Sequence, residues 1–219
     1  REYGSGMTKI GDYTILRDID SLGRLQLAAG YPPDQFGNRS EPKLVILLQS
    51  QQHCTPERMH AALTKSAQAK HSVLIPVLEY IESPAAIVMP YIHGTTLRKI
   101  LDCCNETSSL VFADTVLAIG SEIVAALHAA NDATTPDGDP LHLVHHHLTP
   151  DDILVTPEGT VHLLGVGLSE FCQEPNLQLH ESVYVAPELL NNQLSDHRAD
   201  ILSIGLILYE LLSGKPLHK

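Results

Sequence analysis

The residues with most chemistry to offer gather around one stretch, Val144–Ser169. His142, His145, His146, His147 and His162 cluster on it. Imidazole ligates zinc or nickel, and it also exchanges a proton near neutral pH. Extended spacing puts His145 and His147 on one side, so a two-histidine site is geometrically open. No Cys or Glu stands close enough in the sequence to complete it. Cys54, Cys103, Cys104 and Cys172 form no C-x-x-C pair, so reduced thiols in a cytoplasmic setting are expected, not a disulfide framework or a zinc site. Asp132, Asp137 and Asp139 fall in the turn-rich run Asn131–Pro140, but their spacing is not that of a calcium loop, and a solvated loop is expected. No metal and no cofactor is expected from these patterns.

Those side chains need a frame. Ile153–Val155 and Val161–Leu164 are apolar, strand-like runs, and Pro157 and Gly159 supply turn chemistry between them, which predicts a hairpin. Upstream, the β-rich patterns Tyr13–Ile19, Leu25–Ala29, Leu44–Gln49, Val73–Tyr80 and Ala85–Tyr91 predict strands. Thr55-Pro56-Glu57 opens a helix to about Gln68. After Gly94 the pattern turns helical. Thr96–Cys104 is a short helix. Leu110–Ala130 is a long one, with Phe112, Val116, Ile119, Ile123, Val124 and Leu127 as its apolar stripe. Ser195-Asp196 caps a last helix, stopped near Ser213 by Gly214 and Pro216.

The chain has 219 residues, with 14 Lys and Arg against 26 Asp and Glu, a net charge of −12. That balance argues against nucleic acid and anionic membranes as partners. No run approaches the roughly 20 apolar residues of a membrane span. Residues 1–6 read as a linker or expression remnant ahead of Met7.

The organising stretch, V-H-H-H-L-T-P-D-D-I-L-V followed by V-H-L-L-G-V-G, resembles the catalytic loop and metal-binding hairpin of protein kinases, H-R-D-L-x-x-x-N and D-F-G. Ala186-Pro187-Glu188 resembles A-P-E, and Asp200–Leu212 resembles the family's buried central helix. The likeness runs from about Asp12 to Pro216. It implies an α+β, two-lobed, protein kinase-like fold: a β-rich N-lobe over 7–93, and a helical C-lobe over 94–219 that is truncated after the central helix. By the same resemblance, His145 packs as a structural residue, Asp200 braces the catalytic loop, and Glu188 pairs with an Arg beyond the chain.

The chemical positions depart from the family. The phosphate-binding Lys position is Leu47 or Leu48, and its Glu partner is Ala62. The Arg position is His146 and the catalytic base position is His147. The two metal positions are Asp152 and Gly165, of which only Asp152 carries a carboxylate. Only Gly23 remains of the glycine-rich loop. Phosphoryl transfer depends on these groups. The expectation is therefore a bacterial-type Ser/Thr kinase-like pseudokinase: no enzyme, but a signalling scaffold that binds protein. The alternatives are a nucleotide- or metal-sensing domain, or a Ser/Thr kinase with relocated catalytic residues. The last helix is apolar almost all round, so self-association or a protein partner through Leu208 and Leu212 is expected.

Overall fold

A computed structural model describes residues 9–15, 43–47, 55–168, 183–191 and 193–217. Residues 1–6, Asp20–Gly23, the run Leu25–Ala29, Leu48, Cys54 and Cys172 lie outside the described residues. The chain divides into two compact units. One takes in residues up to Ala61 together with Pro76–Ile92, and the other takes in Ala62–Ile75 and everything from His93.

In the first unit, β1 (Lys9–Ile10) pairs antiparallel with β2 (Tyr13–Thr14). A second antiparallel sheet has the order β3–β5–β4, built from β3 (Lys43–Leu47), β4 (Glu79–Glu82) and β5 (Ala85–Pro90). β5 is central because Ala85-Ala86-Ile87-Val88-Met89 is apolar without a break, the pattern of a strand covered on both faces. Ile10, Val45, Ala86 and Val88 form a buried cluster, with Tyr13, Ile15 and Ile81 against it. The Tyr13 hydroxyl donates to Glu79 at 2.8 Å. Burial, and then that carboxylate, push the Tyr13 phenol up to about 12.

The strand expected over Val73–Tyr80 is not one strand. Pro76 lacks an N–H donor and interrupts it. The residues before it turn to a different partner: Leu163 N donates to Val73 O at 2.8 Å, and Ile75 N donates to Leu163 O at 3.0 Å. Residues 62–75 group with the second unit.

The helix α1 (Pro56–Ser66) starts at Thr55, whose Oγ1 accepts from Arg58 N at 3.4 Å. In the second unit, α2 (Leu97–Thr107) is capped by Thr96, whose side chain accepts from Lys99 N. The long α3 (Ala113–Asn131) buries Val116, Ile119, Ile123, Ala126 and Ala130. Phe112 is not part of its stripe: it occupies the N-cap and is 83% exposed. Val124 is also exposed, at 49%. With 19 residues and a mean hydropathy of 1.3, α3 has the length and apolarity of a membrane span, but Val116, Ile119, Ile123 and Leu127 of its stripe pack into the core.

The predicted hairpin forms from β7 (Ile153–Val155) and β8 (Val161–Leu163). Its turn closes through Thr156 N to Thr160 O at 3.0 Å, with Gly159 at a φ of +84° that favours glycine. A short β6 (Thr95–Thr96) adds a third strand beside β7, which the sequence pattern did not reveal. After α4 (Pro187–Leu190), Asp196 caps α5 (His197–Ser213), and Gly214 ends it in the left-handed conformation. α5 lies against α3, where Gly120 admits Leu208: a Cβ at Gly120 would stand 2.9 Å from Leu208 Cδ1. Leu148, Ile153, Ile123, Ile207 and Leu211 are wholly buried around this packing. Each such side chain contributes about 1.5–3 kcal/mol by burial.

Candidate functional site

The organising stretch is held from below by one carboxylate. Asp200, in the first turn of α5 and 2% exposed, accepts His145 N on Oδ2 and His146 N on Oδ1, both at 2.7 Å. Between them the backbone makes a γ-turn: His147 N donates to His145 O at 2.8 Å, with His146 at a φ of +64°. A non-glycine residue held there is strained, and the buried carboxylate stabilises that strain.

His145 is buried. Its Nε2 lies 2.7 Å from Leu164 O, so Nε2 carries the proton and Nδ1, buried without a partner, is the acceptor. Gly165 follows at a φ of +83°, and a Cβ there would approach His145 Nε2 to 3.3 Å. The Gly165-Val166-Gly167 run is tied down on both sides. Gly167 N donates to Val144 O at 3.1 Å, and Ser66 Oγ donates to Val166 O at 2.8 Å.

The His147 Nε2 is screened from water and has no hydrogen-bond partner. Burial first, and then the neighbouring rings of His145 and His146, pull its pKa down to about 4. The imidazole is therefore neutral at physiological pH. Asp152 Oδ2 accepts Thr149 N and Thr149 Oγ1, each at 2.8 Å. Its carboxylate thereby closes the Thr149–Asp152 turn, and Leu164 N donates to Asp152 O at 2.9 Å.

The other positions singled out in the sequence lie apart. Ala62 is buried in α1 and offers only a methyl group. Glu188 stands in the first turn of α4 and adds, behind Asp196, to the field that holds the Arg198 guanidinium charged. Leu208 is half-buried on Gly120, whereas Leu212 is 45% exposed.

The family resemblance implies a magnesium pair. Asp152 already spends one oxygen on Thr149, and Gly165 has no side chain to offer. Among the described residues no three of His, Cys, Asp and Glu converge in a way that could hold a metal ion. These residues do not fit the pair.

A second cluster was missed. Arg98 in α2 reaches Tyr184 Oη at 2.6 Å, Glu210 Oε1 at 3.5 Å and Asp151 Oδ2 at 3.7 Å. The Tyr184 hydroxyl in turn donates to Glu210 Oε2. The signal for it was Glu210 itself, an acid within the apolar run L-I-L-Y-E-L-L, which a helix buries only when it is paired.

Comparisons with known proteins bear on this frame. A family model described as protein kinase domain matches residues 45–219. Serine/threonine-protein kinase PknA of Mycobacterium tuberculosis is 26% identical over 225 residues, covering 96% of this chain and 48% of that protein. A probable serine/threonine-protein kinase of Clostridium perfringens is 29% identical over 133 residues, covering 58% of this chain and 18% of its own length. Tyrosine-protein kinase MasK of Myxococcus xanthus is 27% identical over 161 residues, covering 71% of this chain and 25% of that protein. The chain thus spans half or less of these curated relatives. A crystal structure of the Mycobacterium tuberculosis PknI kinase domain matches with a TM-score of 0.72 at 19% identity, covering all of this chain and 80% of that one. The α+β kinase-like fold expected from the sequence is the fold observed. The expectation that the chain is no enzyme is overturned: relatives such as PknA are named serine/threonine kinases, and its fold is that of a kinase domain.

Proposed function

Because this chain belongs to the protein kinase domain family, we propose that it is the phosphotransferase module of a bacterial serine/threonine kinase, working with relocated catalytic residues. One observation carries the reading. The loop at the family's catalytic position is held by two short hydrogen bonds to Asp200, and it presents at His147 a neutral imidazole nitrogen with no hydrogen-bond partner. In this reading the loop opens to bring a Ser or Thr hydroxyl to His147 Nε2, which is screened from water as the loop stands, and the imidazole accepts the hydroxyl proton as that oxygen bonds to phosphorus and the nucleoside diphosphate leaves. A positioned base contributes about 10²–10⁴ in rate, less where its basicity is low, as here. Asp200 and the γ-turn at His146 orient the imidazole, and Asp152 keeps the following turn closed.

The test is transfer of labelled γ-phosphate from ATP to the chain itself and to a generic protein substrate. His147→Phe should lower transfer by up to about 10²-fold, the low end for a positioned base. No transfer by the parent chain would sink the proposal, and equal transfer by the variant would remove His147 from it.

A second reading, a nucleotide-sensing kinase-like domain, is favoured by Gly165, which offers no carboxylate, and by the commitment of Asp152 to Thr149. Thermal shifts with ATP and magnesium, ADP, and zinc distinguish it: stabilisation by nucleotide without any phosphate transfer supports sensing.

A further inference from the structure

Arg98 stands where three parts of the second unit meet. Its backbone N–H donates to Pro150 O at 3.1 Å, so the first turn of α2 is tied directly to the Pro150–Asp152 turn. Its guanidinium reaches Asp151 on one side through Nε at 3.7 Å. On the other side it reaches Tyr184 through Nη2 at 2.6 Å and Glu210 through Nη1 at 3.5 Å, and it lies 5.6 Å from the Tyr184 ring centroid. Glu210 is 3% exposed and Tyr184 is 5% exposed, whereas Asp151 faces solvent. The Tyr184 backbone is held as well, because Ser203 Oγ donates to Tyr184 O at 2.8 Å.

The chemistry of this cluster allows one arrangement. Tyr184 is a neutral phenol that donates to Glu210 and accepts from Arg98. A buried carboxylate such as Glu210 is tolerated only with a cation and hydrogen bonds beside it. Among the described residues Arg98 is the one side chain that touches Asp151, Tyr184 and Glu210 together, and a guanidinium fork can do so while staying charged. Among the described residues no hydrogen bond or ion pair joins Asp151 to Tyr184 directly.

We propose that Arg98 is a positioning residue that couples the Pro150–Asp152 turn to the segment around Tyr184, so that the two hold or loosen together. The turn is continuous with the His145–His147 loop, and the Tyr184 segment leads into Ala186 and α4. A change at either end is therefore read at the other through one side chain. The coupling holds whether or not the loop transfers phosphate, so it stands or falls separately from the function proposed above.

Amide hydrogen exchange on the full 219-residue chain tests it, with peptides covering 149–152, 183–191 and α3. Arg98→Met keeps the apolar stem and removes the fork. It should speed exchange in 149–152 and 183–191 together, each by about tenfold, the size seen for residues in one hydrogen-bonded network. Arg98→Lys keeps the charge but not the three-way reach, and it should leave 149–152 still exchanging faster than in the parent. Tyr184→Phe removes only a hydroxyl remote from the turn, yet it should speed exchange at 149–152 by about threefold. Asp151→Asn should do the same at 183–191, and the double variant should fall short of the product of the two effects. These two near-isosteric variants carry the test if Arg98→Met does not fold. Exchange that rises in one segment alone, effects of Asp151→Asn and Tyr184→Phe that simply multiply, or a uniform rise that also reaches α3 would each overturn the coupling.

Discussion

At the scale of single residues, two side chains set the character of the loop. Asp200 accepts two backbone N–H groups on separate oxygens. Asn at that position has one acceptor and turns an NH₂ group toward the other donor. Asp200→Asn should therefore destabilise the chain by about 1–3 kcal/mol, the cost of a buried unpaired donor. An unchanged urea midpoint would contradict the bracing role. His147 supplies a pH dependence. Its folded pKa, about 4, lies below the usual 6.5. Between those values the unfolded chain binds a proton that the folded chain does not, so stability falls as pH drops from about 6.5 to about 4 and levels off below. His147→Gln should flatten that part of the stability profile, measured as denaturation midpoint against pH. A parent and variant with parallel profiles would refute the burial argument.

At the scale of elements, the hairpin is the frame, and a third strand completes it. Thr95 and Thr96 pair with Val155 and Leu154, directly after Gly94. A Cβ at Gly94 would lie 2.7 Å from Val155 O and 3.1 Å from Val155 C, and neither is a flexible side-chain end that could move aside. Gly94→Ala must push β6 away from β7. The expected loss is about 1–3 kcal/mol, typical of forced overpacking. Thermal unfolding reads it directly, and a variant as stable as the parent would show that the two strands part without cost. The neighbouring Gly159 gives the control: nothing lies within 4 Å of its Cβ position, so its substitution costs only the strain of a positive φ.

At the scale of the molecule, the apolar surface of the second unit asks for cover. On α5, Ile201 is 58% exposed and Leu212 45%; on α3, Leu117 is 65% exposed. Helical spacing puts Ile201, Gly205 and Leu212 beside Leu208, and Leu117 and Val124 beside Gly120, so the exposed residues flank one helix contact. None of them carries charge, on a chain whose net charge is −12. Two copies repel each other least across such a face. We propose that a second copy covers it, in a self-complementary pairing. Ile201→Glu with Leu212→Glu should reduce a dimeric mass to a monomeric one in light scattering, without loss of helix content. A parent chain that stays monomeric at high micromolar concentration would give the face to another occupant.

Much of this was legible in the sequence because it is local. The caps at Thr55 and Asp196, the Pro157–Gly159 turn, the stop at Gly214 and the unbroken apolar run of β5 all follow from short-range backbone chemistry, and each element lies close to where its pattern puts it. The family frame was legible for the same reason, since its scaffold positions are apolar or turn residues at set spacings. What the sequence could not carry was choice of partner across long separations. Residues 73–75 look like a strand of the first unit, yet they bond to Leu163, because Pro76 denies the first sheet a donor. Arg98, Tyr184 and Glu210 are far apart in the chain, and only packing brings one guanidinium to all three carboxyl and phenol oxygens around it. The sequence by itself determined which backbones turn, cap and alternate. Tertiary structure decided which donor meets which acceptor, because a buried polar group takes whatever partner the fold delivers, at whatever separation.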